Sequence, residues 1–172
     1  MILVNWQGAG TVDPACGTSQ RGGAMRAIDI GSRRVIQADA SMTVTEAAGI
    51  MRRHQAGCLV VTREERGRAL PVGIVTDRDL VMRGIAAHID PATTALEYMM
   101  SAPLLRCHPE ASIDEIVETL QQHGVRRLPL VDAAGTLVGI VSTDDVLVAL
   151  AALSDRINQT LNVQSTLDRA YL

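Results

Sequence analysis

The chain has 172 residues, 47% of them hydrophobic, and a formal charge of −3. It is long enough to bury a core as one compact unit, and it lacks the basic surplus expected of a nucleic-acid binder. With two Tyr, one Trp and no Phe it also lacks the stacking platforms of single-strand binders.

Residues 1–24 show no helical or strand period, so they are expected to be poorly ordered, with Met25 as a candidate true start. The apolar start Met1-Ile2-Leu3-Val4 is too short for a signal-peptide core, and nowhere does an uncharged apolar run reach membrane-spanning length. Cys16, Cys58 and Cys107 stand too far apart for a zinc site or a redox dithiol. Free thiols in a reducing cytoplasm are the expectation.

From residue 26 onward the sequence is written twice. Residues 29–62 recur at 98–131 with a constant offset of 69, placing Ser32 on Ser101, Glu46 on Glu115, Met51 on Leu120 and His54 on His123. After a hairpin three residues longer in the first copy, the offset becomes 66, and Gly73-Ile74-Val75-Thr76-Asp77-Arg78-Asp79-Leu80 lies over Gly139-Ile140-Val141-Ser142-Thr143-Asp144-Asp145-Val146. Copies of this size usually hide their apolar faces against each other. The expected division is an extension over 1–24, a first repeat over 25–88, a second with its connector over 89–153, and a C-terminal helix and tail over 154–172.

Each copy reads strand, helix, strand, strand, helix. Val44, Ala47, Ala48 and Met51, and Ile113, Ile116, Val117 and Leu120, form the i, i+3, i+4, i+7 stripe of an amphipathic helix. Thr43 with Glu46 and Ser112 with Glu115 open these helices as capping boxes. Short apolar runs at 59–62 and 128–131, and again at 72–75 and 137–141, predict strands, with Pro129 at a strand start or an edge. Between the copies, Asp90-Pro91 predicts the start of a short helix ending near Met100. The last stretch, 146–161, reads as a long Ala- and Leu-rich helix, and the tail from Asn162 carries no motif.

The sharpest chemical signal is Thr76 and Asp79 after one strand, matched by Ser142 and Asp145 after the other. Ser/Thr-x-x-Asp is itself an acceptable helix cap. A carboxylate beside a hydroxyl at a helix start also suits a ribose diol, and the helix terminus favours anions. The residues alone leave both readings open. His54 and His123 fit C-terminal helix caps, His88 and His108 have no visible partners, and no catalytic triad, P-loop or dinucleotide fingerprint is present. The acidic pairs Asp77/Asp79 and Asp144/Asp145 could bind Mg²⁺, more readily through a bound nucleotide's phosphates than by themselves.

In their order, a strand entered at Ser32 or Ser101, a capped helix, a strand with Leu-Val-Val or Leu-Pro-Leu-Val, and then Gly-Ile-Val-Thr/Ser-x-x-Asp resemble the CBS domain, named after cystathionine β-synthase. Two in tandem resemble the Bateman module, and the likeness covers about residues 26–153. The resemblance implies an α+β fold of two βαββα units packed sheet to sheet about a pseudo-twofold axis. Two clefts between them would take AMP, ADP, ATP or S-adenosylmethionine as a regulatory ligand, with no tightly bound cofactor, no metal site and no enzymatic activity. Asp79 and Asp145 would hold the ribose, with Thr76 and Ser142 beside it. Val35, Ile36, Cys58 and Leu59 would enclose one adenine, and Leu104, Leu105, Arg127 and Leu128 the other. Arg78, opposed by Asp144 in the second copy, would favour phosphate in the first cleft, and Arg126 and Arg127 would reach across to the opposite copy. The resemblance further implies a homodimer through the helices after Thr76 and Ser142, and a separate protein target. The competing expectations are a ligand-free scaffold and a nucleotide hydrolase.

Overall fold

A computed structural model describes residues 25–170, with side chains through Leu161; the expectations for residues 1–24 lie outside the described residues. The order is α1 (Ala27–Ile30), β1 (Gln37–Asp39), α2 (Val44–His54), β2 (Cys58–Glu65), β3 (Arg68–Thr76), α3 (Asp77–Asp79), α4 (Ile113–His123), β4 (Arg127–Val131), β5 (Leu137–Ser142) and α5 (Thr143–Ala170). This is an α+β pair of repeats, with one small sheet in each copy: β1-β2-β3 in the first and β4-β5 in the second. The capped helices form where the stripes place them. Thr43 and Ser112 each accept the backbone N–H of the glutamate three residues on, and Glu46 and Glu115 each accept the cap residue's own N–H, at 2.8 and 2.7 Å.

The copies differ in their first strand because of a proline. Val60 donates its N–H to the carbonyl of Ile36 at 3.0 Å and so holds the start of β1. The equivalent residue is Pro129, which has no N–H to give to Leu105. The second copy keeps only a parallel bridge, Cys107 to Leu130. Pro129 costs β4 nothing on its other side, because the N–H and carbonyl of its cross-strand partner Ile140 bond to Ser32. Cys107 is buried there and disulfide-bonded, which corrects the expectation of a free thiol; Cys58 is free.

Segments leading each copy are exchanged. Ser32 bridges Ile140 of the second copy, and Ser101 bridges Ile74 of the first, so the expected entering strands are single bridges to the opposite repeat. Arg26 likewise bridges Ser112, while Ala95 bridges Thr43 at the equivalent position. Ala27 is buried in the core around Ile116, Leu120, Leu128 and Leu130, and Leu96 and Met99 are buried in the core around Val44, Leu59, Val61 and Val75. The ion pair Arg26–Glu110, at 2.8 Å, ties α1 to the second copy, and Arg63–Glu97, at 2.7 Å, ties the connector to the first.

Three further elements depart from expectation. Asp90 does cap a turn, accepting from the N–H of Ala92 and the hydroxyl of Thr93 at 3.0 Å each, but no helix runs on to Met100. Ala95 is extended because its neighbours' backbone is claimed by the first copy, through Val44 N–H to Thr94 and Leu96 N–H to Met42; a 3-10 turn follows at Leu96–Tyr98. Beyond Asp79 the helix continues as a π-helix over Leu80–Ile85. The final helix, α5, begins at Thr143 and runs to Ala170, past the limits 146–161 expected from the sequence.

Candidate functional site

Strands β3 and β5 end in the same device. At Thr76 the backbone is extended and then turns into helix. Its N–H and hydroxyl both donate to Asp79 Oδ2, at 2.9 and 2.6 Å, and the Asp79 N–H returns to the hydroxyl at 3.2 Å. Ser142 and Asp145 repeat this at 2.7, 2.6 and 3.3 Å. Capping is therefore real in both copies, and it uses one carboxylate oxygen. The other oxygen, Oδ1, is left over on a half-buried side chain in each copy. Asp145 Oδ1 has no side-chain partner among the described residues, whereas Asp79 Oδ1 lies 3.6 Å from Arg83 Nε.

The strands opposite supply the neighbours. Cys58 is in register with Thr76, and Arg127 with Ser142; the two are equivalents of each other in the repeat. Burial pushes the Cys58 thiol up, the Arg127 charge pulls it back, and Asp77 adds to the rise. The Arg127 charge of the second copy thus acts on Cys58 of the first. The loops before these strands hold the helix starts in matched fashion: Gly57 accepts the N–H of Asp77 at 3.2 Å, and Arg126 accepts that of Thr143 at 3.0 Å.

Val35 and Ile36 lie just before β1, half-buried, and Leu104 and Leu105 hold the matching place in the second copy. Leu59 and Leu128 are fully buried in the two cores, whereas Cys58 and Arg127 beside them are half-buried. Strand alternation explains this, since Cys58 and Leu59 must point to opposite faces. Arg78 is exposed, and its backbone N–H bonds Asp77 Oδ1 at 2.7 Å; Asp144 stands exposed at the equivalent position. Arg126 is exposed as well. Among the described residues no group of three His, Cys, Asp or Glu could hold a metal ion. His123 Nδ1 pairs with the Thr119 carbonyl at 3.1 Å, and His108 Nδ1 accepts from the Glu110 N–H at 3.2 Å, so both serve local structure.

Arg83 is the residue that sequence reasoning missed. The signal was available, because at an offset of 66 it falls on Ala149.

Comparison with known proteins shows the family and the fold. The CBS domain family model matches residues 27–85 and 95–152. An uncharacterized protein, MK0525, of Methanopyrus kandleri is 34% identical over 72% of this chain and 63% of its own length. The CBS domain-containing protein YhcV of Bacillus subtilis is 33% identical over 70% of this chain and 81% of its own. Among solved structures, a hexameric CBS-CP12 protein from bloom-forming cyanobacteria matches with a TM-score of 0.66 at 29% identity, over 73% of this chain and 67% of that one. The CBS domain pair of protein MJ0100, in complex with 5-methylthioadenosine and S-adenosyl-L-methionine, matches in fold with a TM-score of 0.64 at 24% identity, over 75% of this chain and 98% of that one.

Proposed function

The chain belongs to the CBS-domain family as a tandem pair, and from that premise we propose that it is a regulatory protein without catalysis of its own, binding an adenosine-containing ligand in its interdomain clefts. The observation that carries this reading is the repeated carboxylate: in both copies the half-buried Asp79 or Asp145 spends Oδ2 on the capping box with Thr76 or Ser142 and leaves Oδ1 outside it. A ribose diol supplies two donors for such an acceptor, and each bond to a carboxylate contributes about 1.5–3 kcal/mol. The adenosine ligands of the MJ0100 pair support the ligand class.

The ligand would act by favouring one arrangement of the two halves, and it can do so only by its differential affinity for the two arrangements. A second copy of the chain is the proposed dimer partner, through the helices after Thr76 and Ser142. Val81 and Met82 on one, and Leu147 and Val148 on the other, are repeat equivalents, and all are at least half exposed. The hexameric CBS-CP12 relative supports assembly of such pairs. The signal would pass to a separate protein target.

A thermal-shift screen with AMP, ADP, ATP, S-adenosylmethionine and NADH tests the ligand reading. A true ligand at a hundred times its dissociation constant stabilises by about 2.7 kcal/mol. Unshifted transitions with every compound would favour a ligand-free scaffold, and turnover of ATP with Mg²⁺ would favour a hydrolase.

A further inference from the structure

Arg83 makes the two clefts unequal. Its Nε lies 3.6 Å from Asp79 Oδ1, the oxygen that the capping box leaves over, and its Nη1 donates to the carbonyls of Met99 and Met100 at 3.1 Å each. One guanidinium therefore joins the presumed ribose carboxylate of the first cleft to the end of the connector between the copies. Arg83 follows Asp79 by four residues, the spacing that brings side chains together on one helix face, while its planar fork reaches the carbonyls of Met99 and Met100. The connector is held closely just there. Ser101 and Ile74 exchange both backbone bonds, at 2.8 and 3.2 Å, and Met100 lies so near β3 that a Cβ on Gly73 would come within 2.5 Å of its sulfur. In the second copy Ala149 replaces Arg83, and among the described residues no cation pairs with Asp145.

We propose that Arg83 is a positioning residue that shares Asp79 with the ligand: a ribose diol in the first cleft competes with the guanidinium for Oδ1, and its arrival loosens the hold of Arg83 on the connector. The second cleft has no such link. The first cleft then reports occupancy to the junction between the copies, and the second serves as the stronger diol site. The inference rests on the ribose reading above, and its experiment separates the two.

Asp145→Ala removes the second carboxylate, so that adenosine, which carries no phosphate, reads the first cleft alone. Arg83→Ala in that background should tighten adenosine binding about threefold by calorimetry, the scale of one exposed ion pair. Amide hydrogen exchange is measured on the same proteins. Without ligand, Arg83→Ala should speed exchange at Met99, Met100 and Ser101, and Arg83→Lys, which keeps the charge but loses the fork, should do so as well. Adenosine should speed the same amides in the Asp145→Ala protein and leave them unchanged once Arg83 is gone. Adenosine affinity unaltered by Arg83→Ala overturns the competition, and connector exchange unaltered in the ligand-free variants overturns the link. If adenosine fails to bind the wild-type chain, the ribose reading falls and the competition with it, while the ligand-free exchange still decides whether Arg83 holds the connector.

Discussion

Arg78 and Asp144 occupy the same place in the two copies, one residue before the carboxylate proposed to hold the ribose, and both are exposed. On the proposed reading, opposite charges there would give the clefts opposite preferences for an anion. Arg78→Ala is expected to weaken AMP binding several-fold and leave adenosine unchanged, and the difference should shrink at high salt, because an exposed charge is screened over about 10 Å at 0.1 M. Titration calorimetry with both ligands at two ionic strengths measures this. Thr76, Asp79, Ser142 and Asp145 were legible in the sequence because they recur at one offset behind matching strands. Arg83 shows there only as a break in the repeat, opposite Ala149; its partners Met99 and Met100 are distant in sequence and meet it only through the fold.

At the level of elements, the second copy shows what the first lacks. Helix α2 ends on Gln55 in the left-handed conformation, with φ of 50°, whereas α4 ends on Gly124, with φ of 61°, at the equivalent position. Glycine takes that conformation without steric cost. Gln55→Gly is expected to raise stability by about 0.5–1 kcal/mol, read as a higher urea midpoint with an unchanged slope. The start of α2 carries a pH dependence. Backbone and hydroxyl donors of Thr43 hold the Glu46 carboxyl below the usual glutamate range. A lowered folded-state value means that the contribution is complete above the unfolded value and is lost as pH falls through the folded one. Urea midpoints measured through the acid range should fall less steeply for Glu46→Gln than for the wild type. Both helices were legible because stripe and cap agreed. The connector was not, since a competent cap at Asp90 was overridden when the Thr94 carbonyl accepted from Val44 N–H and the Met42 carbonyl from Leu96 N–H. The missing strand of the second copy hung on Pro129, whose lost donor matters only once Leu105 is known to lie opposite.

In the molecule as a whole, the repeat sets both the packing and the chemistry. Neither copy closes its core alone, because Leu96 and Met99 complete the first and Ala27 completes the second. That exchange was not visible in the sequence, where α1 and the connector simply precede the copies to which they are aligned. It brings the two β-ends, with Thr76 and Ser142, into one pseudo-symmetric body, so a ligand at either can act on the relation between the halves. The central claim is that the ligand is held by the paired aspartates. Calorimetry with AMP on the Asp79→Ala/Asp145→Ala double variant tests it most directly, after its urea transition has shown it to be folded. Loss of two charge-assisted bonds at each cleft predicts a drop in affinity of at least about tenfold, with no tight site remaining. AMP binding to the folded double variant with wild-type affinity and stoichiometry would contradict the claim.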